Sequence, residues 1–242
     1  MRRLAVLFFL APLLVTNLAA QDVATKDAAP KMKPDADGFV SLFDGKSLKG
    51  WTGNMKHFRV EKGAIVAGTM KEKVPNNEFL TFKKEFTDFE LRLKCKLVGE
   101  GGNAGIQIRS RRPNKEELES DDKKKRLPPH EMVGYQVDMG KAWEKVWWGK
   151  LYDESRRRRV LAGPTDEKML EKLTKFDDWN DYRIWVKGDQ IKIWLNGTQT
   201  VDYTENEKGI AKTGLIGLQI HGGPPSEASY KDVRIKELKT KE

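Results

Sequence analysis

The stretch FELRLKCKL, from Phe89 to Leu97, alternates apolar and charged residues without interruption. The charged positions are Glu90, Arg92, Lys94 and Lys96, and every residue between them is apolar. A period of two is that of a β-strand with one buried face. The stretch therefore predicts a strand that packs one side against a core and turns the other toward water.

The same period recurs along the chain, which predicts an all-β protein. Further alternating segments are Gly105 to Ser110, Gly134 to Met139, Tyr182 to Val186, Ile191 to Leu195, Leu215 to His221 and Val233 to Ile235. Asn196-Gly197 follows one of them directly, and because Asn and Gly tolerate positive φ, this pair predicts a hairpin. Many short strands joined by tight turns indicate a jelly-roll sandwich of two antiparallel sheets.

Two features qualify this pattern. Residues Glu167 to Phe176 have apolar residues at helical spacing, which predicts one short helix packed on the sandwich. The only cysteine, Cys95, falls on the apolar side of its strand, so we expect a core residue rather than a catalytic thiol. A single cysteine also excludes an internal disulfide framework and a Cys-based zinc cluster.

The N-terminal residues have the pattern of a targeting segment. Arg2 and Arg3 precede an apolar run from Leu4 to Val15, and Ala19-Ala20 follows, which indicates a secretory signal peptide over residues 1–20. A permanent anchor is the alternative, but the run is shorter than the roughly 20 residues of a spanning helix. We therefore expect a secreted or periplasmic protein with no stable membrane insertion, a flexible leader over 21–37, and one domain over 38–242.

The charge balance argues against nucleic acid as a partner. The 242 residues include 45 Lys+Arg and 36 Asp+Glu, for a net charge of +9. The only dense basic run is Arg156 to Arg159, since Lys123 to Arg126 directly follows a group of acids. This distribution predicts a mixed-sign, solvated surface rather than a phosphate-binding one.

Three predicted strands carry polar pairs opposite their apolar sides. The pairs are Gln107 with Arg109, Gln136 with Asp138, and Gln219 with His221. Amide, guanidinium, carboxylate and imidazole groups suit a polyhydroxylated ligand. An ordinary solvated outer face is the alternative interpretation. If the pairs form a site, then Arg109, Asp138 and His221 should line one pocket.

Tryptophan is abundant in the second half of the chain, at Trp143, Trp147, Trp148, Trp185 and Trp194. Flat rings on a β surface can act as sugar platforms, with core or cross-strand packing as the alternative. Standard catalytic motifs are missing from the sequence: there is no His-x-x-x-His pair, phosphate loop or Gly-x-Ser-x-Gly elbow. The Glu-x-Asp-x-x-Glu carboxylate pair of jelly-roll glucanases is missing as well.

Several runs of residues together resemble the 3-keto-disaccharide hydrolase domain family. In order they are GFVSLFDGKSLKGW (38–51), DFELRLKCKL (88–97), GNAGIQIRS (102–110), GYQVDMG (134–140), GKLYDESRR (149–157), DWNDYRIWVKGDQIKIWLNG (178–197) and GLQIHGGPPSEASYKDVRIKEL (217–238). The resemblance implies a concanavalin A-like sandwich and secretion. It also implies a 3-keto-glycoside substrate that a separate oxidoreductase supplies.

Such a substrate explains why a glucanase pair is missing. A ketone at C3 acidifies the C2 hydrogen, so a base can remove that proton, the enolate can expel the C1 aglycone, and water can add back. We expect His221 or Asp138 to be the base, with Arg109 and Gln107 at the enolate oxygen. The residues expected to bind sugar hydroxyls or help protonate the leaving oxygen are Gln136, Gln219, Lys150 and Tyr152, and Trp148 is a further expected substrate-binding residue.

Other functions fit the same residues. Glu90 could join Asp138 or His221 as ligands of a divalent ion, although we assign no metal ligand and leave the cofactor unknown. Lys94 stands where we expect relatives to carry an acid. A non-catalytic, lectin-like carbohydrate-binding module is the main alternative to an enzyme, and a structural surface protein is a third.

Overall fold

The computed structural model describes residues 33–142 and 144–239. The expected signal peptide, most of the expected leader and Trp143 lie outside the described residues. Residues 33–37, at the end of that leader, are exposed. In the part of the chain that the structure describes, no helix is long and apolar enough to cross a bilayer.

Sixteen strands and two short helices make up the described chain. The strands are β1 (Val40–Ser41), β2 (Trp51–Thr52), β3 (Phe58–Glu61), β4 (Ala64–Thr69), β5 (Glu78–Phe86), β6 (Phe89–Val98), β7 (Asn103–Arg111), β8 (Val133–Ala142), β9 (Lys145–Val146), β10 (Leu151–Glu154), β11 (Val160–Ala162), β12 (Asn180–Lys187), β13 (Gln190–Leu195), β14 (Thr198–Thr204), β15 (Gly214–Ile220) and β16 (Ser226–Glu237). The helices are α1 (Lys115–Glu119) and α2 (Glu167–Leu173).

The strands form two antiparallel sheets that pack face to face. Sheet 1 has the order β14-β13-β12-β6-β16-β4-β3, with β1 paired to β16. Sheet 2 has the order β11-β10-β8-β7-β15-β5-β2, with β9 paired to β8. The predicted all-β sandwich of two antiparallel sheets is confirmed.

Strand β6 lies near the middle of sheet 1 and shows how the alternation builds the core. Leu91, Leu93 and Cys95 are buried in the cluster between the sheets, as their spacing predicts. Burying a leucine side chain stabilises the fold by roughly 1.5–3 kcal/mol. Arg92 and Lys94 between them remain partly exposed on the outer side of sheet 1.

The helices differ from the prediction in number and length. Helix α2 begins where Asp166 Oδ1 accepts a hydrogen bond from Met169 N, and it ends at Leu173 because Thr174 is extended. The predicted helix was therefore three residues too long, and Phe176 beyond it is exposed. Helix α1 was not predicted, because it buries no residue and so leaves no apolar pattern; a capping box at Asn114 and the Arg111–Glu117 ion pair stabilise it.

The polar segment between β7 and β8 covers part of the outer side of sheet 2. The Arg112 guanidinium donates to His130 O at 2.6 Å and to Phe79 O at 3.1 Å, which ties both ends of the segment to β5. Phe79, Leu127 and Met132 are buried although they lie outside the cluster between the sheets. Only the remaining part of this outer face can receive a ligand.

The predicted hairpin at Asn196-Gly197 is confirmed, with φ of 48° and 85° at these two residues. We expect Gly197→Ala to lower the free energy of unfolding by about 1–2 kcal/mol, because a residue with a Cβ atom is strained in the left-handed region. No atom lies within 4 Å of a Cβ built at Gly197, so the loss would measure backbone strain alone. Gly223→Ala is the control, since Gly223 has equal space and no positive φ. Equal losses in urea unfolding would contradict this account.

Candidate functional site

Polar side chains from four strands share the outer side of sheet 2. Gln107 pairs in register with Gln136, and Gln136 pairs with Tyr152. Asp138 lies two residues beyond Gln136 and therefore has the same orientation. Gln219 belongs to the same face, because Gly217, two residues before it on β15, pairs with Gln107 on β7. These five residues are the polar face, and their apolar neighbours point into the core.

Two glycines give the polar face its shape. A Cβ at Gly105 would lie 2.6 Å from Cγ of Gln136, and a Cβ at Gly217 would lie 3.1 Å from Cβ of Gln107. The first distance is a clash, so only glycine at position 105 lets the Gln136 side chain lie flat across β7. The glutamines can therefore form a layer close to the sheet.

A pocket of about 130 Å³ opens at the exposed edge of the polar face. Its lining residues are Asn103, Gln136, Asp138, Trp147, Tyr152, Glu154 and His221. His221 follows the last residue of β15, and its backbone N–H donates to Asn103 O at 3.1 Å. The structure thus brings two of the three expected catalytic residues, Asp138 and His221, into one pocket.

Asp138 is held by a chain of side-chain hydrogen bonds. Ser110 Oγ donates to Gln107 Oε1 at 2.6 Å, Gln107 Nε2 donates to Gln136 Oε1 at 2.7 Å, and Gln136 Nε2 donates to Asp138 Oδ1 at 2.8 Å. Burial raises the pKa of the Asp138 carboxyl well above its ordinary value, although the bond from Gln136 opposes this shift. Asp138 is therefore biased toward the protonated, hydrogen-bond-donating form.

Two other acidic groups of the pocket also retain their protons more strongly than usual. Burial raises the pKa of Glu154. Burial, followed by the charges of Glu154 and Asp138, raises the pKa of Tyr152 to about 12. The Tyr152 hydroxyl is therefore a hydrogen-bond donor at neutral pH.

His221 has a defined tautomer. Its Nδ1 lies 2.6 Å from the carbonyl oxygen of Gly222. Because a carbonyl oxygen can only accept, Nδ1 carries the proton and Nε2 is the unprotonated nitrogen. Burial lowers the pKa of the imidazole below 6.5, against the opposing effect of the Gly222 bond. His221 is thus neutral at pH 7 and able to accept a proton at Nε2.

A second group of polar residues supports the loop that carries His221. Gly222 N donates to Asn77 Oδ1 at 3.0 Å, and Asn77 Nδ2 donates to Glu131 Oε2 at 3.4 Å. Burial, and then the charge of Glu154, raises the pKa of Glu131 to about 7. The position of His221 thus depends on Asn77, which directly precedes β5, and on Glu131 of the covering segment.

Arg109 does not reach the pocket, so its expected place beside Asp138 and His221 is wrong. Its guanidinium donates to Thr87 O, Gly188 O and Asp88 Oδ1 at 2.7, 2.7 and 2.8 Å. These partners belong to the β5–β6 and β12–β13 turns. Arg109 therefore fastens two turns at the end of the sandwich and has no donor directed at the pocket.

The cause is a β-bulge that the alternation did not show. Ile108 pairs with Tyr135 and Arg111 with Val133, so β7 has one residue more than β8 at this point. Arg109 has a positive φ of 46°, which turns its side chain away from the face that holds Gln107. Alternation with a period of two therefore does not predict the direction of the Arg109 side chain.

The expected substrate-binding residues are divided by the structure. Gln136 and Tyr152 line the pocket. Gln107 and Gln219 are fully buried and do not line the pocket. Lys150 is buried as well, and its Nζ lies 3.0 Å from Glu167 Oε1, beside the pocket rather than in its wall.

Trp148 also lies outside the pocket, and the adjacent Trp147 lines the pocket instead. The Trp148 ring is buried and stacks on Tyr182 with a centroid distance of 6.0 Å and an interplanar angle of 10°. Trp147 is half-buried and lines the pocket. Adjacent residues point in opposite directions, and nothing in the pair itself indicates which ring faces outward.

Glu90 cannot join Asp138 or His221 as a metal ligand. It lies on the outer side of sheet 1, with its Oε1 and Oε2 bound by Arg92 and Arg183. Lys94 is on the same side, 3.8 Å from Asp181, and takes no part in the pocket. No group of three or more His, Cys, Asp or Glu side chains within residues 33–142 and 144–239 is arranged to hold a metal ion.

Two pocket residues, Asn103 and Glu154, were missed, and Trp147 was named only as one of five possible sugar platforms. Alternation could have found both of the missed residues. Glu154 lies two residues after Tyr152 on β10, and Asn103 lies two before Gly105 on β7. Asn103 Oδ1 is buried and has no hydrogen-bond partner among the described residues, so a ligand hydroxyl could donate to it.

Comparison with known proteins agrees with this fold. A 3-keto-disaccharide hydrolase of Bacteroides thetaiotaomicron is 25% identical over 241 residues, covering 84% of this chain and 80% of that protein. A candidate glycosyl hydrolase of Parabacteroides distasonis has a TM-score of 0.57 at 21% identity, covering 84% of this chain and 95% of that one. A carbohydrate-binding module of Bacillus subtilis has a TM-score of 0.51 at 17% identity, covering 78% and 96%.

The two solved structures show the fold alone, because their identities are low. The family model is more specific, since it matches residues 38–236, from the residue before the first buried aromatic to the end of β16. This range contains the polar face, the pocket and the covering segment. The chain belongs to the 3-keto-alpha-glucoside-1,2-lyase-like domain family.

Proposed function

We propose that this protein cleaves 3-keto-glycosides by elimination followed by hydration, in the pocket of Asp138 and His221. One observation carries the proposal: the pocket combines an imidazole held neutral with a carboxyl biased toward its protonated form. The first can accept a proton, and the second can donate a hydrogen bond to a developing oxyanion. An oxidoreductase acting on the free sugar hydroxyl would supply the substrate.

In the elimination step, His221 Nε2 takes the C2 proton of the 3-keto sugar. The negative charge moves to the C3 oxygen, where Asp138 and the Tyr152 hydroxyl donate hydrogen bonds. The electron pair then forms the C1–C2 double bond, and the C1–O bond to the aglycone breaks. Glu154, with its raised pKa, protonates the leaving oxygen.

In the hydration step, water adds to C1 of the enone, conjugate to the ketone. Glu154, now ionised, takes the proton of the attacking water, and protonated His221 returns its proton to C2. Both residues regain their starting forms. The products are a free 3-keto sugar and the aglycone as its alcohol, so the overall reaction is substrate plus one water.

The proposal is tested by aglycone release from a nitrophenyl 3-keto-glucoside, from its unoxidised parent, and from the keto substrate deuterated at C2. We expect cleavage of the keto form only, with a primary isotope effect, because removal of the C2 proton precedes loss of the aglycone. Activity that survives a chelator excludes a required metal. Binding of both sugars with cleavage of neither would instead identify a lectin-like module.

Replacing Asp138 by Asn should separate its donor role from a base role. The amide cannot ionise but still donates a hydrogen bond, so we expect Asp138→Asn to retain more activity than Asp138→Ala. In the wild type, kcat/KM should fall at low pH as His221 becomes protonated, below 6.5, and fall at high pH as Asp138 ionises. Asp138→Asn should reduce the high-pH decrease to the part that ionisation of Glu154 causes, because Glu154 must also start protonated. Loss of the low-pH decrease instead would identify Asp138 as the base.

A further inference from the structure

Three arginines lie side by side on the outer side of sheet 1, the side of the sandwich opposite the pocket. Arg92 on β6 pairs directly with Arg183 on β12 and with Arg234 on β16. We call these residues the arginine row. Like charges at directly opposed positions of neighbouring strands destabilise a sheet. Their presence therefore needs a compensating charge.

The protein supplies only part of that charge. Glu90 accepts from Arg92 Nε at 2.6 Å and from Arg183 Nη2 at 2.9 Å. Arg234 Nη1 lies 3.6 Å from Asp35 Oδ2, which is a loose contact. Arg183 Nε is buried and has no hydrogen-bond partner within the described part of the chain. Two carboxylates thus face three guanidinium groups, one of which has an unused donor.

The surroundings of the row are also basic. Each of the three strands presents further lysines on the same side, namely Lys94, Lys96, Lys187, Lys231 and Lys236. The other acids on these strands near the row are Asp181, Glu227 and Asp232. The surface predicted to be mixed in sign does carry both signs here, but alternation along the strands collects separated lysines and arginines on this face and gives it an excess of positive charge.

The row lines a groove of about 960 Å³, together with Lys33 and Lys94 and the acids Asp35, Asp181 and Asp232, so that cations outnumber acids in its wall. Aromatic rings hold two of its guanidinium groups: Arg183 lies 4.3 Å from the Trp194 ring centroid, and Arg92 lies 4.7 Å from that of Phe39. Stacking on a ring fixes the plane of a guanidinium and leaves its edge available. Such edges match the paired oxygens of carboxylate and sulfate groups.

We propose that the arginine row binds an acidic polysaccharide, through carboxylate or sulfate groups on successive sugar residues. Neighbouring strands are about 4.8 Å apart, close to the advance per residue of an extended polysaccharide, so each guanidinium can face a different sugar. The half-buried Trp194 ring lines the groove beside the row and adds apolar surface that a sugar ring can contact. This site is independent of the proposed cleavage, because the two lie on opposite sides of the sandwich.

The test uses dextran, carboxymethyl-dextran and dextran sulfate, which share one backbone, together with a single-stranded DNA oligonucleotide. We expect the full-length protein to bind both anionic dextrans and not dextran, in isothermal titration calorimetry at several salt concentrations. Arg183→Gln with Arg234→Gln should weaken this binding about tenfold or more and reduce the dependence of log K on log salt by about two. Arg234→Gln alone, which leaves the Glu90 pairs intact, should show about half of the change in slope.

The control is Lys123→Gln with Lys124→Gln, which removes the same charge from exposed positions on the segment covering sheet 2. It should leave both binding and slope unchanged. An equal loss in the control, or equal binding of dextran, would overturn the proposal. Tighter binding of DNA than of either anionic dextran would overturn it in favour of a nucleic-acid surface. Cleavage of a 3-keto-glucoside should be the same in all of these variants.

Discussion

Replacing His221 by alanine is expected to lower kcat/KM for a 3-keto-glucoside by about 10²–10⁴-fold. His221 is the group in the pocket whose tautomer, set by Gly222 O, leaves an unprotonated nitrogen, and burial keeps its pKa below 6.5. The C2 proton would therefore have no comparable acceptor in the variant. Added imidazole should restore part of the activity if it can occupy the vacated volume.

The matched control is His130→Ala. His130 lies on the covering segment outside the pocket lining, and its backbone oxygen accepts a hydrogen bond from Arg112. Its side chain should thus be dispensable for turnover. The comparison is made on aglycone release after thermal unfolding has shown that both variants are folded. Near-native turnover of His221→Ala would refute the assignment of the base.

Replacing Arg109 by methionine is expected to lower the free energy of unfolding by about 3–5 kcal/mol, the cost of leaving one partner of a buried ion pair alone. The Arg109 and Asp88 side chains are only 3% and 6% exposed. Thr87 O and Gly188 O would lose a donor as well. Because no Arg109 contact reaches the pocket, kcat/KM of the folded variant should stay within about twofold of the wild type.

Arg111→Met is the control on the same strand. Arg111 pairs with Glu117, but the two side chains are 51% and 25% exposed, so the loss should be at most about 1 kcal/mol. Urea unfolding gives both values, and activity is measured at low temperature, where the weaker variant remains folded. A folded Arg109→Met with strongly reduced turnover would return this residue to the catalytic site.

The fold was predictable because the signal repeats along the whole chain. The structure agrees with the predicted strand β6, with the Asn196-Gly197 turn and with the buried Cys95. In a strand, alternation with a period of two indicates which side is buried. The one-turn helix α1 was not predictable in this way. It depends on a local cap at Asn114 and not on burial.

The site was predictable only in part, because alternation gives the face of a residue but not its depth or its neighbours. Alternation correctly predicted that Asp138 on β8 and His221, which directly follows β15, line one pocket. It could not show that Gln219 is fully buried, nor that Trp147 rather than Trp148 lines the pocket. These outcomes depend on contacts between distant parts of the chain.

The bulge in β7 has a consequence for comparing relatives of this protein. One inserted residue between Ile108 and Arg111 decides which way Arg109 points. Deleting that residue would pair position 109 with Gly134 and direct its side chain to the same face as Gln107. A relative one residue shorter in this strand would thus present a cation on the polar face. Sequence alignments should place gaps at this point with care, because a shift of one position exchanges a structural arginine for one that contacts the ligand.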